Sequence, residues 1–186
     1  MIHTVKADLT HNIVHLNTPL FIESQKAIHE AFGANLGYVE VNVYQKLLRV
    51  VAIVSGLAFV GPVACRDEEY LTNSIMFTVD LFSAIAALKR WPNWGPVRRL
   101  ASLFIPQMKK LKQHRERSIA YLVSKVHERR AITVATPKES RPKDMLQWLI
   151  EKADKFDVKE DNDIAMVLIL LGVAAIHTTT MAMTQT

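Results

Sequence analysis

The segment Gly172–Thr180, Gly-Val-Ala-Ala-Ile-His-Thr-Thr-Thr, places an imidazole and three hydroxyl groups inside an apolar stretch. From Ile164 to Met183 the sequence contains no Asp, Glu, Lys or Arg. A hydroxyl within an apolar helix can bond to the carbonyl one turn earlier and open the hydrogen-bond ladder of the helix. Beside the small residues Ala174 and Ala175, such a hydroxyl could serve as a proton donor in a dry site that holds a flat cofactor.

The same stretch has two other interpretations. It can be a buried core helix, in which Ser and Thr are tolerated because their hydroxyls bond back to the helix. Residues 164–183 are also roughly long enough to span a bilayer, which would make the protein a helical interaction module with a tail anchor in a membrane. The polar residues from His177 to Thr180 and the lack of a basic C-terminal flank weaken this alternative.

Two further groups of residues could in principle bind metal or nucleic acid. His11 and His15 lie four residues apart, but Asn12 stands where zinc proteases have Glu, and no third ligand is evident, so we expect no metal site. The basic run 109–117, Lys-Lys-Leu-Lys-Gln-His-Arg-Glu-Arg, keeps a helical register and contains no aromatic residue. We therefore expect a solvated helix face there and no nucleic-acid partner.

The composition indicates a single α-helical domain. The 186 residues are 49% apolar, which is enough for a core, and only six glycines and seven prolines argue against a turn-rich β protein. The net charge of +5 is mildly basic and selects no class of partner. The lone cysteine, Cys65, rules out an internal disulfide framework. The first residues lack the apolar core of a signal peptide, so no targeting signal is evident.

Capping residues and apolar spacing predict about six helices, the last of them long and apolar. The first is expected to start at Pro19 behind a Thr18 cap and to end at Gly33. Its buried face is predicted to contain Phe21, Ile28 and Phe32. Further helices are expected over 42–60, after the acidic start 67–69, from Pro106 to about 130, over 144–153, and from 157–163 to the end of the chain, with a surface connection over 131–143.

The segment 174–180, Ala-Ala-Ile-His-Thr-Thr-Thr, resembles the oxygen-activating motif in the long central helix of cytochrome P450 monooxygenases. The usual motif is small-Gly-x-acid-Thr-Thr/Ser, and a broad fungal group often has Ala-x-Ile-His-Thr-Thr. Residues 41–71, 78–82, 89–92 and 144–153 are similar to stretches of those fungal enzymes in the same order. The resemblance covers nearly the whole chain.

The resemblance implies a role for each residue of the motif. Thr178 matches the threonine whose hydroxyl stabilises iron-bound dioxygen and helps to deliver protons. His177 takes the position more often held by an acid, and Thr179 is the second hydroxyl. Ala174 and Ala175 lie where the helix passes over the haem, which is haem b in this family.

The resemblance also implies a substrate pocket, partners and a location. Phe77, Leu81 and Phe82, with the loop 91–96, match the helix and loop that form the roof of the pocket. The full-length parent would be an oxidoreductase that inserts one atom of dioxygen into an apolar small molecule, with electrons from an NADPH-dependent reductase. It would sit at the cytosolic face of the endoplasmic reticulum membrane.

Two hallmarks of the family do not match this sequence. No glutamate is followed three positions later by arginine, so the Glu-x-x-Arg pair is not found. Around Cys65, Gly61 fits the loop that ligates the haem iron, but Val63 replaces its basic residue and Asp67 replaces its second glycine. Cys65 is therefore expected to be an inert residue in a loop rather than the ligand. Residues 1–186 are expected to be one partial domain, from after the C helix to partway through the oxygen-binding I helix, and to be inactive alone.

Overall fold

Every regular element that the structure, a computed structural model, describes is helical, which confirms the predicted all-α fold. The described residues are 10–33, 40–90, 105–137, 140–155 and 160–185. The helices are α1 Thr10–Phe32, α2 Val43–Val60, α3 Glu68–Lys89, α4 Pro106–Ala135, α5 Met145–Lys155 and α6 Asp161–Thr184, and one turn of 3-10 helix, Ala64–Arg66, joins α2 to α3. Two of these starts were predicted. Asp67 caps α3, and Pro106 lies in the first turn of α4.

Helix α6 lies at the centre of the packing. It contacts α2, α3, α4 and α5, and α3 and α4 also pack extensively on each other. The buried residues of α6 recur every three or four positions, as one face of a helix requires. They are Ile164, Ala165, Leu168, Ile169, Gly172, Val173, Ile176 and Thr180. Together with the inner faces of α2, α4 and α5 they form one continuous core.

From Leu48 to Val60, helix α2 is buried on most of its circumference. The Asn42 side chain caps its start by accepting a hydrogen bond from the backbone amide of Gln45 at 3.1 Å. Gly61 ends it with φ of +88°, a conformation that side-chain-bearing residues rarely adopt. By length and composition alone, α2, α3 and α6 could each cross a membrane, although each is partly buried within this fold.

The prediction for α1 was wrong in its start and in its buried face. The helix begins at Thr10, and Pro19 lies inside it, where its fixed φ is still compatible with the helix. Phe21 and Ile28 are exposed on the outer side, at 61% and 47%. The inner side instead presents the buried residues Leu16 and Ala27, because small or short side chains occupy the line of contact with α2. The end at Gly33 is confirmed by its φ of +64°.

The guanidinium of Arg129, whose side chain is 15% exposed, ties the end of α2 and the last turns of α4 to the start of α5. Arg129 donates to the Asp144 carboxylate at 2.9 Å and to the carbonyl of Val60 at 3.4 Å. Asp144 is 3% exposed, and burial raises the pKa of its carboxyl despite the opposing effect of Arg129. The predicted surface connection begins later than expected, because α4 continues to Ala135 so that Arg129 and Thr133 can reach α5.

Gly56 allows α2 to approach the start of α3 closely. A Cβ atom at this position would lie 2.9 Å from Cε1 of Tyr70 and 3.1 Å from the Cβ of Cys65. Tyr70 is held from the other side by Tyr121, with ring centroids 6.2 Å apart. The ring therefore has little room to move away, and a larger residue at position 56 would force the helices apart.

We predict that Gly56→Ala lowers the free energy of unfolding by about 1–3 kcal/mol, because the overpacking outweighs the better helix propensity of alanine. Urea denaturation followed by circular dichroism measures the change. Tyr70→Leu removes the contacting ring atom, so the double variant should lose less than the sum of the two single variants. A Gly56→Ala protein as stable as the parent would contradict the close approach.

Candidate functional site

Helix α6 presents a second, outward face that contains the motif residues. Ala174 and Thr178 are both exposed and lie four positions apart, one above the other on the same side of the helix. Leu170, one turn earlier on that side, is 55% exposed. Thr179 is also exposed, whereas Ala175 is partly buried against the core. The structure thus groups Ala174 and Thr178 on one face and places Ala175 at its edge.

The hydroxyl of Thr178 bonds back to its own helix. Its Oγ1 donates to the carbonyl of Ala174 at 2.5 Å, which occupies the hydroxyl proton and leaves the oxygen lone pairs facing outward. Thr180 lies two residues further on, about 200° around the helix. It is fully buried, as expected from that geometry, and its hydroxyl has no hydrogen-bond partner in the described part of the chain.

His177 faces α3 rather than the side that carries Thr178. Its imidazole stacks on the ring of Phe82, with centroids 3.4 Å apart and an angle of 13° between the planes. Both side chains are half-buried. The stack brings together one residue from the predicted catalytic set and one from the predicted pocket roof, which sequence spacing alone could not pair.

The other residues of the predicted roof lie apart from the outward face of α6. Leu81 is half-buried and packs on the core. Phe77 is 5% exposed and lines a small internal cavity with Gly172 and Val173. The predicted roof loop, 91–96, lies outside the described residues. Of the three roof residues in α3, Phe82 is therefore the one that contacts the motif through a ring stack.

Cys65 occupies a closed environment in the 3-10 turn. Its side chain is 1% exposed, and its thiol donates to the carbonyl of Pro62 at 3.2 Å. Burial raises the pKa of the thiol to about 11, and the nearby Glu23 adds to the effect. The thiol is therefore protonated at neutral pH, and a thiolate would be disfavoured there.

The histidines and the basic run form no metal centre in the described residues. No group of three or more His, Cys, Asp or Glu side chains that could hold a metal ion is found there. His15 is exposed, and the side chain of His11 lies outside the described part of the chain. The lysines and arginines of 109–117 lie exposed on α4, and His114 from this run turns inward to Asp80, 2.5 Å away.

Sequence reasoning missed Ser118, a polar residue on the inner face of α4. Ser118 is 5% exposed, and its hydroxyl has no partner among the described residues. It lies four and eight positions before the apolar residues Leu122 and Val126, both of which are buried. The spacing was thus available as a signal, but the neighbouring charges made Ser118 look like part of the solvated side.

The comparisons with known proteins agree with the all-α fold and with the predicted family. The sequence profile of the family Cytochrome P450 matches residues 6–186. Cytochrome P450 monooxygenase braC of Annulohypoxylon truncatum is 33% identical over 98% of this chain and 36% of its own length. Cytochrome P450 monooxygenase AN1598 of Emericella nidulans is 32% identical over 97% of this chain and 34% of its own length.

A third relative, cytochrome P450 monooxygenase adrA of Penicillium rubens, is 30% identical over 98% of this chain and 35% of its own length. The chain thus spans about a third of the length of these curated relatives. No solved structure matches it. Because the family profile covers nearly the whole chain, the protein belongs to the cytochrome P450 family.

Proposed function

We propose that this chain supplies the oxygen-activating helix and part of the substrate roof of a haem-thiolate monooxygenase, which inserts one atom of dioxygen into an apolar small molecule. The observation that supports this most is the shared outward face of Ala174 and Thr178 on α6, opposite the core. A helix that served only as core would bury this face, whereas both residues are exposed. Family membership supports the same activity.

The residues on the outward face of α6 fit a flat macrocycle such as haem b. Ala174 has a single methyl group, so a planar group can come close to the helix backbone at this turn. Ala175 borders the same surface, and Leu170 extends it with apolar area. When bound and ligated by a thiolate, haem activates dioxygen with electrons from a partner protein. In this proposal Ala174 and Ala175 form the surface of α6 that the haem would contact.

Thr178 would act as a hydrogen-bond donor and acceptor for proton delivery beside that surface. Its hydroxyl can donate one hydrogen bond and accept two. With its proton directed to the Ala174 carbonyl, its oxygen can accept a hydrogen bond from water, and rotation about the Cβ–Oγ1 bond can instead direct the O–H outward as a donor. Thr179, exposed next to it, offers a second hydroxyl at the edge of the same face.

His177 would serve the pocket roof as well as the motif. Its stack on Phe82 ties α6 to α3 at the level of Thr178. The flat pair of rings presents an apolar edge that an apolar substrate can contact. Leu81 lies beside Phe82 in the sequence, and Phe77 supports the same helix from within the core.

We infer the partners and location from the family. Cytochromes P450 are generally membrane-associated, and an NADPH-dependent reductase on the cytosolic face of the endoplasmic reticulum membrane would supply the electrons. Residues 1–186 would be one partial domain of the active enzyme and inactive alone, since the relatives are nearly three times as long. Cys65 supports this view, because its thiol is buried and protonated and therefore unsuited as the axial ligand.

We predict that Cys65 does not ligate haem. In the folded chain its alkylation at neutral pH should be at least about 100-fold slower than in denaturant, because a pKa raised by two units lowers the thiolate fraction by that factor. With haem, a reductant and carbon monoxide, the chain should lack the long-wavelength Soret band of thiolate ligation. Such a band, if lost in Cys65→Ala, would show that Cys65 is the ligand.

We predict that Thr178→Ala impairs the chemical step of the full-length enzyme without preventing haem or substrate binding. Loss of a positioned proton donor typically lowers the rate by ~10²–10⁴-fold, and water access at this exposed face favours the lower end. The measurement compares product formed, NADPH consumed and hydrogen peroxide released, which should rise. Thr180→Ala is the matched control on the buried face and should leave this ratio unchanged. An equal effect of both substitutions would contradict the assignment.

Two substitutions of His177, one that keeps an aromatic ring and one that removes it, test whether its ring or its proton matters. We predict that His177→Phe preserves the stack on Phe82 and the ratio of product to NADPH consumed, because the pocket roof needs the ring and not its proton. His177→Ala should alter the distribution of oxidised products, since it opens the roof. A similar loss of coupling in both variants would instead make His177 a proton carrier. Phe82→Ala provides the control from the other side of the stack.

A further inference from the structure

A small cavity lies behind α6, on the side opposite the motif. It has a volume of about 10 Å³ and is lined by residues of α3, α4 and α6. Its wall contains the three hydroxyl-bearing residues Tyr70, Ser74 and Ser118 among otherwise apolar groups. The remaining lining residues are Phe77, Leu122, Leu168, Ile169, Gly172 and Val173.

Two independent observations make this cavity a polar site rather than a packing gap. The hydroxyl of Ser118 is buried, and no described residue hydrogen-bonds to it, an arrangement that is strongly unfavourable unless something else satisfies it. On the facing helix, a Cβ atom added to Gly172 would meet no atom within 4 Å. The lack of a side chain at Gly172 thus keeps space open beside an unsatisfied hydroxyl.

The volume of the cavity and the polar groups in its wall indicate which molecule can bind there. A cavity needs on the order of 10–15 Å³ of probe-occupied volume to hold one water, so this one admits a single water molecule and nothing larger. A buried water requires two to four polar partners, and three hydroxyl-bearing residues are available here. Burial raises the pKa of Tyr70, and a hydrogen bond with Ser74 opposes that shift. The Tyr70 and Ser74 side chains are therefore already paired, and their remaining hydrogen-bonding positions are the ones that a water can use.

We propose that Ser118, Ser74 and Tyr70 bind one structural water molecule between α3, α4 and α6, and that the missing side chain of Gly172 leaves room for it. The water satisfies the hydroxyl of Ser118 and links α3 and α4 to the buried face of α6. The site is independent of haem, and its existence does not depend on the catalytic role proposed for Thr178.

The direction in which Ser118→Ala shifts the midpoint of thermal unfolding distinguishes a hydrated cavity from a dry one. With water bound, Ser118→Ala removes a hydrogen-bond partner, and the midpoint of thermal unfolding should fall by about 2–4 °C. In a dry cavity the same change removes an unsatisfied hydroxyl, so the midpoint should rise. Ser124→Ala on the same helix is the matched control for helix propensity, since Ser124 is exposed and bonds back to the Tyr121 carbonyl. A midpoint for Ser118→Ala at or above that of the control overturns the proposal.

Gly172→Ala supplies a second test. The added methyl group displaces the water and leaves Ser118 unsatisfied, so this change should not stabilise the parent protein although alanine favours the helix. In the Ser118→Ala background the same methyl group should raise the unfolding midpoint. An equal rise in both backgrounds would mean that the cavity is dry and would overturn the proposal. A solvent peak within hydrogen-bond distance of Ser118 in a high-resolution crystal structure would support it directly, and an empty cavity there would overturn it.

Discussion

The arrangement of the candidate site depends on the way in which α6 divides its circumference between core and surface. Its buried residues pack on α2, α3, α4 and α5, so the helix cannot rotate without exposing apolar area on all of them. An α-helix turns 100° per residue, and fixing the buried side therefore fixes the outward direction of Ala174 and Thr178. The position of the hydroxyl is thus set by the apolar contacts behind it, and the polar residues of the motif contribute little to that choice.

Charged pairs at the periphery fix how the helices are aligned along their lengths. Arg130 on α4 donates to Asp161 in the first turn of α6 at 3.0 Å. Asp80 on α3 contacts His114 on α4. These groups are partly exposed, and each pair contributes at most about 1 kcal/mol. These pairs therefore affect the alignment of the helices more than the free energy of unfolding. They hold α3 and α4 against α6 in the alignment in which Phe82 contacts His177.

The sequence predicts the helices and the two faces of α6 well because both follow from local spacing. Thr178 and Thr180 lie on opposite sides, as two residues of helical separation require. The buried face of α1 was not predictable in the same way, since Phe21 and Ile28 are apolar and regularly spaced but point outward. Which side of an amphipathic helix is covered depends on its neighbours, and this information is not local.

Contacts between side chains of helices that are distant in the sequence also could not be predicted from the sequence. Phe82 and His177 lie 95 positions apart, and their contact requires the packing of α3 on α6. Burial of Ser118 follows the spacing of Leu122 and Val126, but a run of charges on the same helix concealed it. The motif of α6 could be recognised because its residues are consecutive, whereas the roof above it is assembled from separate segments.

The hydrogen bonds of Arg129 also imply an order of assembly. Its partner Asp144 is 15 residues away and its partner Val60 is 69 residues away. Closing the longer loop costs about 1.4 kcal/mol more in chain entropy, from the logarithmic dependence on loop length. The α4–α5 hairpin can therefore close around Arg129 and Asp144 while α2 is still free, and the carbonyl at the end of α2 docks onto a guanidinium that is already oriented. Early pairing within the hairpin would then guide the long-range step, which is the slow kind in folding.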